Sequence, residues 1–213
     1  MVKGLDTFQK YFADYEEQYV LIGGAACDIL FESNEVNFRA TRDLDMVLIV
    51  EALTPEFGEK FWEFIVDGKY RNKATNGSNP QFYRFDKPED DEFPKMIELF
   101  CRSDFKLKNA KGITPIHIDD EVSSLSAILL NDDYYKALLN GKEVRNGLSV
   151  LRPEYIILFK AKAYLDLQKR KDSGEKLDSS DIKKHKKDVL RIASELMLEK
   201  VEELPIAVDA DIH

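Results

Sequence analysis

Between Tyr19 and Val50 the chain reads YVLIGGAACDILFESNEVNFRATRDLDMVLIV. An apolar run, a Gly-Gly turn, a helical stretch and a second apolar run opened by two aspartates leave few folds open. Side chains alternate faces along a strand, so Asp43 and Asp45 point the same way, roughly 6–7 Å apart along the backbone. Two carboxylates so placed repel each other unless a cation lies between them. Magnesium is the expected ion, because Mg2+ is commonly held by one or two carboxylates together with substrate phosphates. Gly23 and Gly24 are the expected phosphate end of such a site. Without a Cβ, the turn after Val20-Leu21-Ile22 brings backbone N–H groups close to an anion, and a helix over about Ala25 to Glu32 presents its positive end there.

Taken singly, neither half of this unit is specific. A Gly-Gly after a strand is most often a tight turn, and an Asp-x-Asp at a strand start is usually solvated or capping. In this strand, turn, helix, loop, strand order the two together point to metal and phosphate binding.

The segment resembles the signature of the DNA polymerase beta-like nucleotidyltransferase superfamily, a Gly-Gly or Gly-Ser turn followed by Asp-x-Asp on the next strand. The run Arg39-Ala40-Thr41-Arg42-Asp43-Leu44-Asp45 is similar to the version found in the AbiEii/AbiGii toxin family. The resemblance implies a third carboxylate from a later strand, for which Glu98 in Lys95-Met96-Ile97-Glu98-Leu99-Phe100 is the candidate. Phe82 to Phe85 reads as one strand, Asp86 to Glu92 as an acidic turn and Met96 to Arg102 as the pairing strand. The plainer reading of Glu98 is a charge on the solvent face of that strand.

Later motifs carry the resemblance on. Pro153 stands near the start of a helix through Leu167, and Gly174 separates it from a helix over Ser179 to Leu190 with Ser or Asp at its N-cap. Lys160 matches the family's motif lysine and Asp188 its motif aspartate. Lys162 is the other possibility, since it lies about 200° from Lys160 around the helix. Lys183 to Lys187 read mostly as a solvated basic face. One departure stands out: Gly-Gly-Ala-Ala has no serine after the glycines, so backbone amides alone would hold a phosphate.

Composition sets outer bounds. At 213 residues, 44% hydrophobic and 11% aromatic, the chain can bury a core of one domain, or of a catalytic half with a helical appendage. It has no apolar run of ~18–20 residues and no basic-then-apolar leader over Met1 to Val20, so a cytoplasmic protein without a membrane span is expected. Cys27 and Cys101 read as small buried thiols, and no zinc-ligand spacing exists. A net charge of −9 argues against a broad, sequence-independent nucleic-acid binder. Charge is nevertheless uneven, with acidic Asp86 to Glu92 and Asp119 to Glu121 set against basic Lys169 to Lys171 and Lys183 to Lys187. A basic wall of this kind suits a triphosphate or a tRNA end, and equally a solvated helix.

The expected fold class is α+β: a nucleotidyltransferase-type mixed sheet flanked by helices, with a C-terminal helical module. Further elements are expected over Asp6 to Glu17 (helix), from Thr54-Pro55-Glu56 (helix, with Trp62 in the core), Ile113 to Ile118 (strand), Ser123 to Leu130 and Asp132 to Leu139 (short helices) and Leu148 to Leu151 (strand), with Lys73 to Pro80 a loop. His117 alternates with Ile116 and Ile118 and reads more readily as structural than catalytic. Composition shifts near Arg152, which divides the chain into a catalytic module, 1–151, and a helical module, 152–213, with the site expected between them.

The resemblance implies transfer of a nucleoside monophosphate from an NTP to an acceptor, with pyrophosphate leaving. Asp43, Asp45 and Glu98 would hold Mg2+, and Gly23 and Gly24 the phosphates. Lys160, with Arg39, Thr41 and Arg42 around the signature, would serve the nucleotide, and Asp188 would orient Lys160 or approach the acceptor. RNA, tRNA or protein is the implied acceptor, and an antitoxin the implied partner. Two alternatives belong to other classes: a small-molecule, antibiotic-type nucleotidyltransferase using the acidic runs for a cationic acceptor, and a non-catalytic nucleotide-binding module.

Overall fold

The computed structural model describes residues 2–32, 43–71, 82–101, 128–129, 131–201 and 203–212, with the side chains of Phe82, Tyr83, Asp181 and Ile212 excepted. Among them the fold is mixed α+β, with seven helices and one six-stranded sheet. The helices are α1 (Leu5–Phe12), α2 (Gly23–Glu32), α3 (Pro55–Asp67), α4 (Asp132–Asn140), α5 (Pro153–Asp172), α6 (Ser179–Glu195) and α7 (Ile206–Ile212). The strands are β1 (Tyr19–Ile22), β2 (Asp43–Leu48), β3 (Phe82–Asp86), β4 (Met96–Cys101), β5 (Lys142–Arg145) and β6 (Leu148–Leu151). The chain falls into two compact units, Met1–Ile118 with Glu143–Val150, and Asp119–Lys142 with Leu151–His213.

In the first unit the strand order is β3-β4-β2-β1-β6-β5. β2 runs parallel to β4 and antiparallel to β1, β3 is antiparallel to β4, and β1 and β6 are parallel. Period-2 alternation explains the layers. Leu44, Met46 and Leu48 share one face with Ile97, Leu99 and Phe85, and all are buried. Phe85 meets Phe61 and Trp62 of α3 edge-on, and Tyr19 meets Phe8 and Phe12 of α1. Phe64 sits at the hub of this aromatic layer, packed on Phe8, Tyr11, Phe12, Tyr70 and Phe93. Each buried phenylalanine there stabilises the fold by about 1.5–3 kcal/mol.

α3 starts as its sequence dictates. Thr54 caps it, its Oγ1 accepting the Phe57 N–H at 3.3 Å, with Pro55 in the first turn where no N–H is missed. α1 is shorter than expected, ending at Phe12 rather than Glu17. Two turns replace its last stretch, closed by the Tyr15 N–H on the Phe12 carbonyl and the Gln18 N–H on that of Tyr15. The edge strand β5 lies beyond the expected elements and follows from the Asn146-Gly147 pair: both residues have positive φ, 50° and 70°, the backbone a two-residue hairpin turn requires. Lys142, Glu143 and Arg145 put charge on that sheet edge.

The second unit is helical. Asn131 caps α4 through the Asp133 and Tyr134 N–H groups, at 2.9 and 3.2 Å, and Asp178 caps α6 through the Ser180 N–H at 2.8 Å. α5 and α6 pack along each other, while α7 rests on α4 and α5. Val208 of α7 is fully buried, the Ala207 N–H donates to Asp133 at 2.9 Å and the Tyr134 hydroxyl to Asp211 at 3.0 Å. α7 carries no strong sequence signal, and tertiary contacts decide it. Among the described residues no helix is long and apolar enough to cross a membrane. The expected strand over 113–118, most of the helix over 123–130, His117 and the acidic run at 119–121 lie outside the described residues.

Candidate functional site

β2 and β4 carry the same burial rhythm, half-buried at the first and third positions and buried at the others. Those open positions are Asp43 and Asp45 on β2, and Met96 and Glu98 on β4. The parallel register sets Asp43 opposite Met96 and Asp45 opposite Glu98. Opposed residues share a face, so the three carboxylates lie together on one side of the sheet. A one-residue slip would have sent them into the aromatic layer, and Leu44 and Met46 on the reverse face hold the register against it.

The glycine turn stands at the same end. β1 ends at Ile22, which pairs with Asp45, and α2 begins at once with Gly23. Gly23 has φ of 63°, and a Cβ built on it collides with Oδ2 of Asp45. Only glycine accepts both the left-handed backbone and that approach. The expected helix thus starts two residues early, on the glycines themselves, and the first N–H groups of a helix have no partner within it. From Gly24 to Phe31 α2 is buried, which fixes its start against β1 and β2.

Glu98 has a partner that no sequence motif marks. Arg84 on β3 stands opposite Glu98 across the antiparallel β3–β4 pair, its Nε at 3.0 Å and Nη2 at 2.5 Å from the same oxygen, Oε1. The signal was the hairpin register: once Phe85 is assigned inward against Ile97, Arg84 must lie outward beside Glu98. A row Asp45–Glu98–Arg84 therefore runs across β2, β4 and β3, with a second row, Asp43–Met96–Asp86, beside it. Among the described residues no three His, Cys, Asp or Glu side chains gather closely enough to hold a metal ion together. Glu98 is turned to β3, the strand on the far side from Asp45.

No family model matches the chain, and no curated protein matches its sequence.

Chemically, the donors on this face suit a hard divalent cation: they are carboxylate oxygens, with no thiol or imidazole among Asp43, Asp45 and Glu98. Arg39, Thr41 and Arg42, expected around the signature, lie outside the described residues. In the helical unit, Lys160 and Asp188 meet as a buried ion pair between α5 and α6, Nζ to Oδ2 at 2.7 Å. Lys162 turns the other way, to Asp166 at 3.3 Å and to Asp211 of α7 at 2.9 Å. Burial pulls the Lys162 ammonium down, and the hydrogen bonds and charges of Asp211 and Asp166 outweigh it, leaving its pKa raised. The acidic turn is surface: Glu89, Asp90, Asp91 and Glu92 are exposed, and Glu89 pairs with Lys69 at 3.2 Å.

Proposed function

We propose that the chain is a divalent-cation-dependent nucleotidyltransferase, moving a nucleoside monophosphate from an NTP to an acceptor with release of pyrophosphate. The observation that carries the reading is the register that sets Asp45 opposite Glu98, with Asp43 on the same face and Gly23 pressed against Asp45 at the start of α2. Phosphate ligands and carboxylate ligands of one ion need this adjacency of a bare helix start and an acidic strand end.

Asp43, Asp45 and Glu98 would hold Mg2+, which when bound neutralises triphosphate charge and makes the acceptor hydroxyl easier to deprotonate. Gly23 and Gly24 would receive phosphate oxygens through backbone N–H groups, the anion gaining from the positive end of α2. Asp45, whose carboxylate lies beside Gly23, would be within reach of both. An RNA or tRNA end, or a protein, is the proposed acceptor, and pairing with a neutralising antitoxin is the proposed biological setting. Both come from the resemblance of the Gly-Gly and Arg39-to-Asp45 motifs.

The test is incubation of the purified protein with Mg2+, each alpha-labelled NTP in turn and total cellular RNA, beside the Asp45→Asn variant. Label is expected in RNA with the intact protein, and none with Asp45→Asn, whose half-buried side chain leaves the fold nearly unchanged. Transfer that survives Asp45→Asn would sink the mechanism.

A further inference from the structure

Glu98 is flanked by two strands of opposite character, β2 bringing Asp45 and β3 bringing Arg84. The two guanidinium nitrogens both fall on Oε1, and the pair is only partly exposed, at 29% for Arg84 and 15% for Glu98. In this conformation the Glu98 carboxylate has turned to the cation its own chain supplies, the Arg84 guanidinium.

We propose that Arg84 is a built-in counter-ion that occupies Glu98 until the cation arrives and is then displaced from it. The proposal rests on the nucleotidyltransferase reading and says how its third carboxylate is governed. Two effects act in the same direction. The guanidinium competes for Oε1, and its positive charge repels a divalent ion brought to the neighbouring Asp45. On displacement the fork of Arg84 is left beside the cation site, where an incoming phosphate is the anion that suits it. Substrate and cation thereby compensate each other: the phosphate takes the arginine, and the metal takes the glutamate.

Mn2+ binding to the full chain without nucleotide, followed by the electron paramagnetic resonance of free Mn2+, tests this directly. Arg84→Gln is expected to bind Mn2+ about five-fold tighter than the natural chain, the effect of removing one partly exposed ion pair. Arg84→Lys, a weaker single-point partner that keeps the charge, is expected to bind with intermediate affinity, and carries the test if Arg84→Gln fails to fold. Asp45→Asn should lose the binding. Unchanged or weaker Mn2+ binding in the Arg84 variants, with Asp45→Asn still losing it, would overturn the counter-ion role while leaving the cation site standing. Binding by Asp45→Asn as tight as in the natural chain, or no binding by any of the proteins, would bring down both.

Discussion

Oδ2 of Asp45 occupies the place where a Cβ of Gly23 would stand. The turn and the acidic strand are therefore one fitted unit, although most of α2 and all of 33–42 separate them in the chain. Gly23→Ala meets a left-handed backbone that L residues adopt at about 1–2 kcal/mol, and its Cβ must push the Asp45 carboxylate aside. A stability loss of about 1–2 kcal/mol is expected by urea denaturation, with loss of the proposed nucleotide transfer. A variant that is as stable as the natural chain would contradict the left-handed turn at Gly23.

The Lys160–Asp188 pair calls for a double-mutant cycle. Lys160→Met or Asp188→Leu alone breaks this buried ion pair from one side and should cost about 3–5 kcal/mol, whereas the double variant should recover most of it. Urea midpoints of the four proteins decide, and strictly additive losses would count against coupling. The same set separates architecture from chemistry. If the stable double variant keeps the proposed nucleotide transfer, Lys160 serves the helical unit alone.

Alkaline pH should unfold the protein through its tyrosines. Burial first, then the Asp67 hydrogen bond, pushes the Tyr11 hydroxyl up to about 12. Burial likewise raises Tyr19 and Tyr70, and burial with Asp211 raises Tyr134. Lys162 shifts the same way. In each case the folded state keeps the proton longer, so the stabilisation is complete below the unfolded value of about 10 and falls as pH rises above it. Thermal midpoints should be insensitive to these groups between about pH 7 and 9 and drop from about pH 10, with part of the tyrosinate absorbance appearing only on unfolding. Full absorbance from all nine tyrosines reached before unfolding would contradict the raised position of these four.

Much of this arrangement is legible in the chain because it is local. Apolar alternation gives β2 and β4, Thr54-Pro55 gives the start of α3, and Gly-Gly followed by Asp-x-Asp gives the turn and the acidic strand. What escapes is set by pairing between distant segments. Arg84 looks like any polar residue in a strand until Phe85 is matched to Ile97, and that match is a matter of register. β5 escaped for a different reason: its four residues are mostly charged, and only the Asn146-Gly147 turn betrays it. α7 holds by Val208 and by polar contacts to Asp133, Tyr134 and Lys162, none of them adjacent to it in sequence.

The strand order has a consequence for synthesis. β1 is made early and lies inside the sheet, yet one of its neighbours, β6, is made after β2, β3, β4 and α4. While the ribosome extends the chain at about 5–20 residues per second, β1 waits with an open edge of four apolar residues, Tyr19 to Ile22, a template for unwanted pairing. Asp45 likewise waits for Glu98. A nascent or truncated chain ending before β4 carries the aspartates without their third partner, so the proposed activity switches on only when the centre of the sheet has been delivered and closed.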